Sequence, residues 1–173
     1  MTLPCRLQRG PTPQGPSYAD TMRGVEVSSI SVGSNSFFAR NCCDDNELSE
    51  WASDGNLANA WATFTLAEKA PVKEVCVKLT GWRNKSYPIE ILAGDTVVWS
   101  GDTPKSLGYV HLPLGKTVNT DTYTVRLIGS ASAGPDAFGQ ITEVAGGRAG
   151  ELDFAGKAQS IPALRIVEIE FLK

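Results

Sequence analysis

Short apolar runs with a period of two constrain this chain more than any other feature. Val75, Val77 and Leu79 alternate with Glu74, Cys76 and Lys78, and Ile89 and Ile91 flank Glu90. Tyr123, Val125 and Leu127 alternate with Thr124 and Arg126, while Val167, Ile169 and Phe171 oppose Ile166, Glu168 and Glu170. Such spacing places one face of a strand against a core and the other toward solvent. Turn formers punctuate the runs at Asp54-Gly55, Gly81, Ala93-Gly94-Asp95, Ser100-Gly101-Asp102 and Gly115. The pattern predicts strands over 25–31, 59–66, 72–79, 87–93, 96–100, 107–113, 122–128 and 164–172, with a hairpin across Gly94-Asp95. No dozen-residue window carries a helical stripe and nothing repeats at a fixed period. The expectation is an all-β protein, an antiparallel sandwich or barrel rather than an α/β fold.

A chain of 173 residues is the size of one domain plus an extension. The first segment carries Pro4, Gly10, Pro11, Pro13, Gly15 and Pro16 with few apolar residues, so residues 1–24 are expected to be a linker-like extension and 25–173 the folded module. The stretch 129–163, rich in Gly, Ala and Ser, is long enough for a functional loop before the last strand. Hydrophobic residues at 42% and charged residues at 20% indicate a globular chain. A net charge of −3 supplies no basic field for a phosphate backbone, so nucleic acid is not an expected partner. No apolar run has the length of a membrane span, and the Met1 region lacks the order of a signal peptide. The expectation is a cytosolic chain or a piece of something larger.

Little in the residue types supports catalysis. His111, the one histidine, lies in the strand-like run Leu107–Pro113 with no Gly-x-Ser-x-Gly elbow, and is expected to be a half-buried strand residue. The carboxylates fall mostly where they solvate strand faces or form turns, and no Walker or Rossmann glycine spacing occurs. Cys5, Cys42, Cys43 and Cys76 lack paired CxxC spacing; Cys76 reads as a small buried hydrophobe. The densest polar cluster runs from Asn41 to Trp51. A turn holding Asp44, Asn46 and Ser49 can aim oxygens at a hard cation such as Ca²⁺, although the order is not that of an EF-hand. An ordinary metal-free acidic turn is the alternative, because Asp and Asn favour turns anyway.

These residues resemble a known family. Asn41-Cys42-Cys43-Asp44-Asp45-Asn46, then Ser49-x-Trp51-Ala52-Ser53, is similar to the first-loop signature of galactose-binding-like domains, the discoidin (coagulation-factor C-type) modules and family 32 carbohydrate-binding modules. Ala60 to Leu66, Val72 to Val75, Tyr87 to Ile91 with Thr96 to Trp99, and Arg165 to Phe171 follow in the family's order, so the resemblance spans about residues 25–173. More narrowly, Leu79 to Pro88, Lys105 to Tyr109 and Asp136 to Gly139 resemble accessory modules at the C-terminal end of bacterial family 2 glycoside hydrolases, the β-galactosidase-like enzymes.

The resemblance implies an eight-stranded antiparallel β-sandwich of jelly-roll type, monomeric and without catalytic residues. It implies a carbohydrate-binding module that holds a parent secreted or periplasmic hydrolase near an oligosaccharide or polysaccharide. The alternative is a structural accessory domain packed on the catalytic domain. It also implies a structural Ca²⁺ held by Asp44, Asn46, Ser49, the Cys42 carbonyl and Glu168, with Asp45 standing where the family has glycine. Aspartate tolerates the left-handed backbone that such a position requires. Trp51, Trp61 and Trp99 match packing positions. Trp82 follows Gly81 and precedes Arg83-Asn84-Lys85, a loop polar enough to face water. Trp82, Arg83 and Asn84, with Asp136 and Phe138 on the long loop, are therefore the candidate sugar-binding surface, since a pyranose needs an aromatic face flanked by polar groups. Otherwise Trp82 caps the sandwich or touches a neighbouring domain.

Overall fold

The computed structural model describes residues 24–133 and 162–173. In chain order the strands are β1 (Gly24–Val25), β2 (Val27–Val32), β3 (Trp51–Ala52), β4 (Trp61–Pro71), β5 (Glu74–Leu79) and β6 (Lys85–Ser86). They continue as β7 (Pro88–Ala93), β8 (Thr96–Asp102), β9 (Val110–Pro113), β10 (Asn119–Leu127), β11 (Ser132–Ala133) and β12 (Arg165–Leu172). The longer strands are those the alternation predicts. Two-residue strands β1, β3, β6 and β11 are additions. Most of the 1–24 extension and of the 129–163 stretch lies outside the described residues; Gly24 belongs to β1.

Every pairing is antiparallel. One sheet runs β1-β12-β5-β9 with β3 against the start of β12, the second runs β2-β4-β10-β7-β8, and β11 and β6 form a separate ribbon. The chain passes from the first sheet to the second at Glu26, whose carbonyl accepts the Ala67 N–H at 2.8 Å. Between β7 and β8, Gly94 takes a φ of +58°, as a two-residue hairpin with glycine first requires. The helical elements among the described residues are 3₁₀ turns at Ser36–Cys43 and Leu57–Asn59, neither able to cross a membrane.

The alternating residues meet between the two sheets. Phe171 of β12 lies 5.3 Å from the ring of Phe64 on β4 and 5.4 Å from Tyr123 on β10, so three aromatic rings join the layers. Tyr123 keeps its phenol inside this core because the hydroxyl is satisfied there. It accepts the Val72 N–H (3.3 Å) and faces the carbonyls of Ala70 (2.9 Å) and Val118 (3.1 Å). Trp51 is fully buried, as expected; Trp61 and Trp99 are half-buried at the margins, and Cys76 is fully buried.

Strand β12 departs from its predicted facing, and Lys78 on β5 is buried too. Ile166 was placed opposite Ile169 and Phe171, yet all three belong to the core. The register explains it: Ile166 pairs with Leu79 and Glu168 with Lys78, so Val167 is an extra residue in a β-bulge. The bulge shifts the phase by one and turns Ile166 inward. Val167 is buried even so.

Truncating Phe171 to Ala should cost about 3–5 kcal/mol, because it removes the ring common to both contacts. Tyr123→Phe should cost about 0.5–1.5 kcal/mol by removing the hydroxyl that bonds the Ala70 and Val118 carbonyls, while the Val72 N–H keeps its 3.0 Å bond to Ala70. Urea unfolding of both variants measures this; a Phe171→Ala loss under about 0.5 kcal/mol would mean the layers are not packed through that ring.

Candidate functional site

Strand order sends the long connections to one end of the sandwich. They are 33–60 between β2 and β4, 80–87 between β5 and β7, and 103–109 between β8 and β9; β10 ends and β12 begins at the same end. The opposite end carries the short turns 72–73, 94–95 and 114–118. Side chains that approach a ligand together are therefore to be sought at the first end.

The 33–60 connection is held along its whole length. At its start a Cβ on Gly33 would sit 2.3 Å from the Asn59 carbonyl oxygen, so only glycine permits the approach of its two ends. Asn35, left-handed at φ 53°, gives its amide N–H to the Ala52 carbonyl (2.7 Å). The buried Trp51 indole donates to the Ser34 carbonyl (3.0 Å). In the 3₁₀ turn that follows, Ala39 and Cys42 point inward. Further on, Ser53 and Leu164 exchange two bonds: each backbone N–H donates, one to the Leu164 carbonyl and one to the Ser53 hydroxyl, both at 2.9 Å.

At the middle of the connection Asp44, Asp45 and Asn46 make a tight bend. Asp44 accepts the Asn46 N–H (3.0 Å) and the Ser49 hydroxyl (2.7 Å), and the Asn46 amide oxygen accepts the Leu48 N–H (3.1 Å). Asp45 takes the left-handed φ of 57° expected at the glycine position, and its N–H donates to Glu168 Oε2 on β12 at 3.2 Å. The first loop and the last strand thus meet at Asp45 and Glu168. Two further acids fasten the bend to the first sheet. Glu47 pairs with the Lys78 ammonium at 2.7 Å, and Glu50 pairs with Arg165 and accepts the Thr80 hydroxyl.

Lys78 is 3% exposed, an unusual place for an ammonium. Its Nζ lies 5.5 Å from the Trp82 ring and 5.9 Å from the Tyr109 ring, so two aromatic faces and one carboxylate replace water around the charge. Glu168 is 5% exposed. Burial pushes its carboxyl up to about 8, with Cys43 and Asp44 adding to the shift and the Asp45 N–H opposing it. Tyr109 is raised too, by burial first and then by Glu168 and Glu47. Among the vicinal thiols Cys42 is raised by its bond to Cys43 and by burial, while Cys43 is lowered by Cys42 and Arg40.

Of the expected sugar-binding residues, Trp82 and Arg83 do not face water. Both are buried and Asn84 is half-buried, so the solvent-facing reading of this loop is corrected. The loop turns back on itself through bonds from the Trp82 N–H to Leu79 and the Asn84 N–H to Gly81, and the Ser106 N–H closes over it onto the Trp82 carbonyl. Lys78 occupies the ring face that a sugar would need. Asp136 and Phe138 lie outside the described residues.

His111 is exposed rather than half-buried. It pairs with Glu74 and lies 3.8 Å from the Cys76 sulfur, an order that mimics a hydrolase triad. A fully buried Cys76 is closed to substrate. Sequence reasoning passed over Phe37 and Phe38, which are 91% and 51% exposed. Adjacent phenylalanines outside any alternating run were the available signal, because no single strand or helix face buries both.

No family model matches the sequence, and no curated protein matches it at a significant level. Solved structures do share its fold, which is the galactose-binding-like β-sandwich of family 32 carbohydrate-binding modules. The CBM32 of AlyQ in complex with 4,5-unsaturated mannuronic acid aligns with a TM-score of 0.61 at 12% identity, over 86% of this chain and 97% of that one. CBM32-3 from a family 31 glycoside hydrolase of Clostridium perfringens gives 0.56 at 14%, over 91% and 99%. A pectin binding carbohydrate binding module gives 0.54 at 11%, over 85% and 91%. Against truncated AlyQ with CBM32 and alginate lyase domains, the chain spans 33% of the length.

Removing one partner of the Lys78–Glu47 pair should strand a buried charge. Glu47→Gln is expected to cost about 1–3 kcal/mol, and the double variant Glu47→Gln/Lys78→Met to recover part of that loss. Equal losses in single and double variants, measured by urea unfolding, would show that the pair does not fasten the loop.

Proposed function

We propose that this chain is a non-catalytic carbohydrate-binding module carried by a larger secreted or periplasmic glycan-degrading enzyme. The observation that carries the proposal is the gathering of the described long connections at one end of a family 32-type sandwich, with polar and aromatic side chains on a connection that is fastened down. A rigid presentation of this kind suits weak, reversible recognition of a sugar, because little ordering remains to be done on binding. The structural neighbours from AlyQ and from the family 31 hydrolase support a multidomain parent. A family 2 hydrolase as that parent rests on the resemblance of Leu79 to Pro88 and its companion segments.

Calcium at the Asp44 bend belongs to the same proposal. The Asp44 carboxylate, the Asn46 backbone carbonyl and the Ser49 hydroxyl come together at the bend, the Asn46 amide oxygen lies one step on at the Leu48 N–H, and the Asp45 N–H ties Glu168 to it. An oxygen-only donor set suits a hard cation, and a cation there offsets two like charges. Among the described residues no three His, Cys, Asp or Glu side chains gather to hold a metal, so the amide, the hydroxyl and the Cys42 carbonyl would have to complete the shell. The ion would pin loop to strand. It has no chemical step to perform.

Two measurements test the proposal. Titration with an oligosaccharide panel should show millimolar to micromolar binding and no hydrolysis; absence of binding to every glycan would defeat it. Calcium added after chelation, at a hundred times its Kd, should stabilise by about 2.7 kcal/mol, a rise of roughly 5–10 °C in Tm for this size of chain. Asp44→Ala should abolish the rise. A Tm indifferent to calcium in the wild type would remove the metal from the account.

A further inference from the structure

We propose that Cys42 and Cys43 form a thiol–disulfide exchange site, in which Cys43 takes up half of a small-molecule disulfide and Cys42 then displaces it. The inference goes beyond the carbohydrate-binding reading and does not depend on it. Both thiols are unbridged. A 3₁₀ helix has three residues per turn, so neighbours in sequence stand about a third of a turn apart. Cys42 therefore shares the buried edge with Ala39, while Cys43 turns away from it. Cys42 is fully buried, and its Sγ donates to the Ala39 carbonyl at 2.9 Å. Cys43 is half-buried and lines a cleft of about 450 Å³ between the turn, β1 and β12. The two sulfurs also lie within hydrogen-bonding reach of each other. Exchange needs one sulfur that a disulfide can reach and a second placed to resolve the product. Burial assigns those two roles here.

The chemistry balances with a disulfide, R–S–S–R, as the oxidant. Cys43 gives its proton to water and attacks one sulfur; the Cys43–S bond forms as the S–S bond breaks, and the departing R–S⁻ takes a proton from water. Cys42 then loses its proton and attacks Cys43 Sγ from the protein side, so the second R–S⁻ leaves toward the cleft and is protonated in turn. Two cysteine thiols are oxidised to one disulfide, and one R–S–S–R is reduced to two R–SH. The product is strained. Consecutive Cα atoms lie about 3.8 Å apart across a trans peptide, whereas a disulfide usually spans about 4.4–6.8 Å. Closing the ring also draws Cys42 off the Ala39 carbonyl. A strained bridge is readily reduced, so the pair is a reversible site rather than a staple.

Treating the native full chain with hydroxyethyl disulfide, an uncharged probe, in the presence of a chelator tests this by acid quenching, intact mass and peptide mapping. The wild type should lose two hydrogens through a Cys42–Cys43 bridge that reduced glutathione reverses. Cys42→Ala should retain one probe thiol on Cys43, and Cys43→Ser should react at least about tenfold more slowly, because Cys42 alone is buried. The same Cys43 adduct, trapped at early times in the wild type, reads the first step without any variant. A wild type no faster than Cys43→Ser, or a bridge from either cysteine to Cys5 or Cys76 instead, would overturn the site. A wild type that stops at the adduct would overturn the resolving role of Cys42. A bridge that reduced glutathione leaves intact would overturn its reversibility.

Discussion

The seam between the 33–60 connection and β12 is the constraint on which the rest depends. A connection of that length would ordinarily wander, and ordering it has an entropic cost at every residue. Here it is anchored at Gly33 against Asn59, at Trp51 under Ser34, at Ser53 against Leu164 and at Asp45 on Glu168. The short strand β3 adds pairing to β12. Because these anchors lie along the connection, the 3₁₀ turn between them is presented in one orientation.

Charge does much of this work in a way that burial alone would forbid. Glu47, Glu50 and Glu168 all face the seam, and two of them find cations, Lys78 and Arg165. Lys78 is held between Trp82 and Tyr109, so the Trp82 ring is used inside the protein. Among the described residues Phe37 and Phe38 are the aromatic side chains most open to water. Burial, with Cys43 and Asp44 nearby, holds the Glu168 carboxyl well above the usual carboxylate range.

Alternation in the sequence was enough to locate every longer strand, because a period of two survives without knowledge of partners. It failed at Ile166, where a bulge changes the phase of β12; a bulge is set by pairing with β5 and leaves no mark in the strand's own pattern. That the first loop meets the last strand was legible through the resemblance, although the bond shown is from the Asp45 N–H to Glu168, and Asp45 does take the left-handed backbone. Trp82 and Arg83 were misread as surface because a polar loop was equated with an exposed one. Lys78 looked like a solvent-facing strand residue by its alternation, and only the packing of three separate connections around it reveals a buried cation.

Hydrogen exchange followed by NMR tests the seam directly. If the connection is a fixed part of the sandwich, the Trp51 indole N–H and the backbone amides of Asp45 and Ser53 will exchange as slowly as those of β5 and β12. Exchange of those protons at the rate of an open loop, while the strands stay protected, would contradict the account.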